Sequence, residues 1–216
     1  MLSSVLNRLA KLFMAREVAS LNRTLAQARR SNKLAALSIS PELLQALVVG
    51  EDRRFFRHSG LDAIAMLRAA WQFVAHGRVQ GASTIEQQLV RTLTKRYERT
   101  LRRKAREIML ATCVGDVLDK PQVASTYLLV AYYGWGMMGV IQACTRLEYD
   151  CSSLSWNQAA SLIARLKYPQ PQGGNPIWEE HVTRRGRCVA SMLSQADKSA
   201  WDTSLTGQAN AGAIPS

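Results

Sequence analysis

The sequence predicts a mainly α-helical domain, and three observations carry that prediction. Apolar residues recur three and four positions apart along most of the chain, alternating β-branched runs are scarce, and capping residues stand just ahead of several apolar stripes. At 216 residues the chain holds one well-buried domain, or one domain with a small lobe; two full domains would be a tight fit.

Residues 1–35 read as an amphipathic basic segment. Leu2, Val5, Leu6, Leu9, Leu12 and Phe13 fall at helical spacing, while Arg8, Lys11 and Arg16 interrupt any signal-peptide core. Such a helix either lies on an anionic bilayer or packs on the domain. Residues 36–205 form the predicted domain. Ser40-Pro41 joins a capping residue to a proline at the first helical position, and Leu43, Leu44, Leu47 and Val48 then supply an apolar stripe towards Glu51. A second helix is expected from Asp62 to Ala75, stopping near Gly77, with Ile64, Leu67, Ala70, Trp71 and Val74 on a broad apolar face. Ser83 or Thr84 is the N-cap of the next helix. Lys120-Pro121 opens another, through Tyr127 and Leu128, ending at the glycines Gly134, Gly136 and Gly139. Ser155 to Gln158 has capping-box spacing and starts a helix through Leu162 and Ile163 that must end before Pro169. The KYPQPQGGNP segment after it is turn-rich, and residues 206–216 read as a flexible tail.

The formal charge of +12 favours anionic partners: nucleic acid, a phospholipid surface or a phosphorylated substrate. Cys113, Cys144, Cys151 and Cys188 include no CxxC pair and no histidine at zinc-finger spacing, which argues against a structural metal. They read as buried thiols, or, in an oxidising compartment, Cys144 and Cys151 as a disulfide. No stretch approaches the ~20 apolar residues of a spanning helix.

Two segments have the residue types for chemistry. Glu51-Asp52 is followed by Arg53, Arg54, Phe55, Phe56, Arg57 and His58. The acids either balance that charge, or one of them, shielded by Phe55 and Phe56, serves as a general base. His58 alone reads as a structural hydrogen-bonding residue. The run from Arg91 to Arg106 holds eight cations and one acid, Glu98. As one continuous helix it would bring Arg91, Lys95, Arg99, Arg102 and Arg106 onto a narrow arc. That arc is either a solvated face or a site for a multiply charged anion. Gln87 and Gln88 upstream offer amides suited to sugar hydroxyls, and Glu107 downstream is the one carboxylate within reach of the cations.

Five segments in order resemble glycosyltransferase family 51, the peptidoglycan polymerases: EDRRFFRHSGLD from Glu51, GASTIEQQLVR from Gly81, RKAREIMLA from Arg103, KPQVASTYLLVAYYGWGMMGV from Lys120, and LSWNQAASL before the proline-rich turn. The resemblance implies a lysozyme-like α fold with a small hydrophobic, membrane-facing lobe at about 61–80, where Trp71 and Phe73 suit an interface; core packing is the alternative for those apolar residues. It implies polymerisation of lipid II by inverting transfer, with release of undecaprenyl diphosphate. Glu51 would be the general base and Glu107 the second essential carboxylate, either near a divalent ion, Mg²⁺ or Mn²⁺, or orienting cations. Ser83, Gln87, Gln88, Arg91, Arg99, Arg103 and Arg106 would bind sugar and diphosphate. The partners it implies are lipid II, the growing glycan chain, a membrane surface and a transpeptidase, with no nucleic acid. The location it implies is the outer face of the bacterial cytoplasmic membrane, although this chain shows no signal or transmembrane segment.

This sequence departs from the family pattern at four positions. Arg91 replaces a usual lysine, Glu86 a threonine, Ser125 a glutamate and Leu129 an asparagine. Glu86 is expected to place a negative charge beside the anion site. Ser125 and Leu129 raise the alternative of a degenerate relative that binds lipid-linked diphosphate sugars with little polymerase activity.

Overall fold

The computed structural model describes residues 2–31, 39–77 and 81–195. The expected tail at 206–216 lies outside them. The described residues are predominantly α-helical, as the spacing predicts. Ten α-helices appear among them, besides two short 3-10 turns: α1 Leu2–Phe13, α2 Ala15–Ser31, α3 Pro41–Glu51, α4 Ala63–His76, α5 Ile85–Thr94, α6 Leu101–Ala111, α7 Lys120–Val130, α8 Val140–Arg146, α9 Trp156–Lys167 and α10 Pro176–Gln195. A two-stranded antiparallel hairpin, β1 Tyr132–Gly134 and β2 Met137–Met138, follows α7, so that helix stops before the glycines.

Local chemistry sets most of the helix ends. The Ser40 hydroxyl accepts from the Leu43 N–H with Pro41 in the first turn, Asp62 accepts from Ala65, and Thr84 rather than Ser83 accepts from Gln87. Asp119 and Ser155 each complete a capping box. Gly77 ends α4 in the left-handed conformation.

The core has two connected parts. In one, α9 packs on α10 and α3; in the other, α5 packs on α6 and α7, and α3 also meets α7. Leu43, Leu47, Ile85, Leu89, Leu128, Leu162 and Ile163 are fully buried where these helices meet. The N-terminal segment is two helices, both packed on the domain. Helix α1 lies on α6, with Asn7 donating to the Thr112 carbonyl at 2.9 Å and Lys11 pairing with Asp116 at 3.1 Å. Helix α2 buries Val18, Leu21 and Leu25 against α5, α6 and α7.

Three expectations are corrected. The basic run is not one helix: Lys95 takes a left-handed conformation at φ 53°, α5 stops at Thr94, and Thr100 caps α6. Because α5 and α6 pack on each other, a straight continuation is excluded, and the five-cation arc does not form. Core packing of α4 is also overturned, since none of its residues is buried; Leu67, Trp71, Phe73 and Val74 are exposed. Reading all four cysteines as buried thiols fails as well. Cys144 and Cys151 are joined in a disulfide with Cα atoms 5.9 Å apart, and Cys188 is exposed.

Candidate active site

Glu51 is the last residue of α3, and its carboxylate is held from two sides. The Gln88 amide of α5 donates to Oε2 at 3.1 Å, and Arg185 of α10 reaches Oε1 at 3.2 Å while also donating to the Gly50 carbonyl. Gln88 is fixed in turn by the Tyr127 hydroxyl of α7, which donates to its amide oxygen at 2.7 Å. Burial, with the Glu51 charge nearby, pushes the Tyr127 phenol well above its ordinary value, so it remains a donor. The shielding expected from Phe55 and Phe56 is not what surrounds Glu51. Phe55 is buried with Lys120 Nζ 4.1 Å above its ring, and Phe56 packs edge-on against it.

Glu107, on α6, is 4% exposed. Arg103 grips one of its oxygens, and Lys104 Nζ donates to the other at 2.6 Å. Lys104 also donates to Ser83 Oγ at 2.9 Å and to Gln87 Oε1 at 2.7 Å, so one ammonium gathers three of the predicted site residues. Desolvation lowers the Lys104 pKa from its ordinary value. Gln87 is tied at its other end to the Gly60 carbonyl at 3.2 Å, which Thr84 Oγ1 also meets at 3.0 Å. Gly60 has φ 82°, and a side chain there would sit 2.3 Å from the Ala111 carbonyl oxygen, so only glycine lets this loop close on α6.

Two adjoining cavities carry these groups. The larger, about 780 Å³, is lined by Glu51, Ser83, Gln88, Arg91 and Arg185. The smaller, about 290 Å³, is lined by Arg91, Arg96, Arg103, Arg106 and Glu107, with Glu17 of α2 opposite. Arg91 lines both, so the two carboxylates lie on either side of it. Two predicted cations stand differently from the rest. Arg106 is paired with Glu17, and Arg99 sits exposed in the link between α5 and α6, lining neither cavity.

Glu86 does not lie beside the anion site as expected. It is 2% exposed and pairs with Lys120 at 2.5 Å, facing the core side of α5. Ser125 bonds within α7 and Leu129 packs against the core; neither lines these cavities. At Glu107 both carboxylate oxygens are engaged by cations, Arg103 and Lys104. Asp52, His58 and Asp62 come within 4.8 Å of one another but are also engaged. Asp52 accepts from His58 at 3.0 Å and from the Ile85 N–H at 3.2 Å, and Asp62 from Arg54 and Ala65.

The structure adds Lys104, Arg185 and Tyr127 to the site residues read from the sequence. Lys104 carried a signal, since a lysine three positions ahead of Glu107 shares its helix face. Arg185 needed the helix Pro176–Gln195, whose start is marked by Asn175 accepting from the Trp178 N–H at 2.7 Å ahead of a proline at the first helical position.

The family model described as Transglycosylase matches residues 17–193. Penicillin-binding protein 1A of Aquifex aeolicus is 37% identical over 162 residues, covering 73% of this chain and 22% of that protein. Penicillin-binding protein 1A of Escherichia coli is 34% identical over 161 residues, covering 73% and 19%. Penicillin-binding protein 2a of Streptococcus pneumoniae is 32% identical over 157 residues, covering 72% and 21%. The match thus spans only about a fifth of each of these relatives. With the family model covering α2 to α10, relatives above 30% identity over nearly three quarters of the chain, and residues of the first three motifs lining one pair of cavities, the chain belongs to the transglycosylase family, glycosyltransferase family 51.

Proposed function

We propose that this chain polymerises a lipid-linked disaccharide, lipid II, into glycan strands, with Glu51 as general base. The observation that carries the reading is Arg91, which joins the Glu51 cleft to the cavity where Arg103 and Lys104 surround Glu107. The acceptor sugar lies at Glu51, and the Glu51 carboxylate takes the proton of its 4-hydroxyl. The oxygen attacks the anomeric carbon of the donor, the bond to the lipid diphosphate breaks, and the configuration inverts, as single displacement from the opposite face requires. Negative charge grows on the departing diphosphate, where Lys104 and Arg103 are already fixed and need no reorganisation, and Arg91 lines the same space. Glu107 keeps two of those cations in place. Ser83 and Gln87 orient the Lys104 ammonium, and Gln88 orients Glu51. Arg99 joins from its exposed link, and Arg106 is released from Glu17 when a diphosphate competes for it.

The donor's lipid requires a bilayer nearby. The unburied apolar face of α4, with Trp71 and Phe73, supports insertion into the interface. The Cys144–Cys151 disulfide supports an oxidising compartment outside the cytoplasm. The cation-saturated Glu107 supports catalysis without a divalent ion at that carboxylate.

The test is incubation of the protein with labelled lipid II, with and without Mg²⁺ or a chelator, followed by separation of polymer from substrate. Polymer is expected from wild type and not from Glu51→Gln. Absence of product under conditions where a known polymerase works would defeat the reading, and retained binding of a phosphoglycolipid inhibitor would then identify a binding protein.

A further inference from the structure

We propose that a second ligand site lies between α9 and α10, where Arg165 receives a carboxylate from an acidic peptide segment of a partner protein. Arg165 is 9% exposed. Its Nη1 donates to the Ser161 carbonyl at 3.0 Å and to the Ser161 hydroxyl at 2.5 Å, both neutral acceptors on its own helix. Nε is buried without an acceptor, and no described carboxylate forms an ion pair with the guanidinium. Burial pulls its pKa below the ordinary arginine value. A desolvated guanidinium without a counter-ion is costly, and a ligand that supplies the charge removes the cost.

The guanidinium borders a cavity of about 710 Å³ whose walls include Asn157, Ser161, Thr183, Arg187 and one carboxylate, Glu179, which makes no ion pair with Arg165. That volume suits a short peptide segment or a small molecule. It is separate from the catalytic cleft. Thr183, Gly186 and Ala190 of its wall are turned about 100–160° around α10 from Arg185, which faces Glu51.

The chemistry selects a carboxylate. Among the described residues neither Nε nor Nη2 has an acceptor, and together they form the planar fork that matches two carboxylate oxygens. The Trp178 ring already has the Arg165 guanidinium 5.5 Å from its centroid and spends its N–H on the Tyr168 carbonyl at 2.9 Å.

The probe is an acetylated, amidated hexapeptide of alternating glutamate and leucine, titrated into the full chain by calorimetry and by NMR of the arginine Nε–H signals. Saturable binding that shifts the Arg165 signal is expected, with Arg165→Met weakening it at least about tenfold, the value of one charge-assisted hydrogen bond. Thr183→Glu, at an exposed position, places a carboxylate inside the cavity; it should abolish peptide binding and raise the melting temperature. This variant decides the matter should Arg165→Met fail to fold. No saturable binding, or undiminished binding by Thr183→Glu, overturns the proposal. So does displacement of the peptide by equal concentrations of inorganic phosphate or of a carboxylated amino sugar, which would assign a general anion site or a saccharide site.

Discussion

Replacing Lys104 by methionine tests whether one ammonium organises the leaving-group side of the cleft. Methionine keeps most of the stem and removes three hydrogen bonds, to Ser83 at 2.9 Å, Gln87 at 2.7 Å and Glu107 at 2.6 Å. The bond to the Glu107 carboxylate is of the charged class, about 1.5–3 kcal/mol, and the two neutral acceptors add about 1 kcal/mol each. The Lys104 side chain is 33% exposed and Arg103 still neutralises Glu107, so water and the remaining partner recover part of the loss. Methionine also escapes the desolvation that lowers the Lys104 pKa, so the net loss of stability is at most about 1 kcal/mol, read as a slightly lower urea midpoint. On the reaction, removing a fixed cation from where diphosphate charge develops should cost about 10²–10³ in kcat. Lipid II turnover by the variant within about fivefold of wild type would refute the reasoning. The pH dependence adds a second reading with opposite signs for activity and stability. Because burial lowers the Lys104 pKa from 10.5, the folded state binds this proton less tightly than the unfolded chain. The cost of holding the ammonium charged is therefore fully present at neutral pH. It is relieved as pH rises through the folded pKa towards 10.5. Over that window Lys104 favours folding more while catalysis loses its cation, so the alkaline limb of kcat should fall below the ordinary lysine range.

Tyr127→Phe should cost about 1–2 kcal/mol, because it strips the buried Gln88 amide oxygen of its donor. With Gln88 free to turn over against Glu51, kcat should fall while the thermal unfolding enthalpy stays near wild type. Gly60→Ala should lose about 3–5 kcal/mol in denaturant titration, since left-handed strain adds to a clash with the Ala111 backbone. Cys188 lines the Glu51 cleft and is exposed, so a bulky maleimide should modify it and block polymer formation, an effect that Cys188→Ser should abolish without loss of basal activity. Cys113, buried and with its thiol pKa raised, should stay unmodified in the folded protein, as mass spectrometry of the labelled chain would record.

What the sequence by itself determined is the physics that acts within a few residues. Ser40 with Pro41, Asp62, Thr84 and the Ser155 box each satisfy helix N–H groups three positions away, and Gly77 supplies the left-handed turn; none of these depends on a distant partner. The motif segments carried Glu51, Ser83, Gln88 and Arg91 to the two cavities for the same reason: each lies on or beside one of those legible helices. Only the tertiary structure decided which charges meet. The break at Lys95 has no glycine to announce it, and it removed Arg99 from the face that helical arithmetic had assigned. Glu86 pairs with Lys120 across 34 positions, Arg106 with Glu17 across 89, and Glu51 with Arg185 across 134. Coulomb and hydrogen-bond energies depend on distance in space, which chain separation does not encode, so those pairings emerged only once the helices were packed.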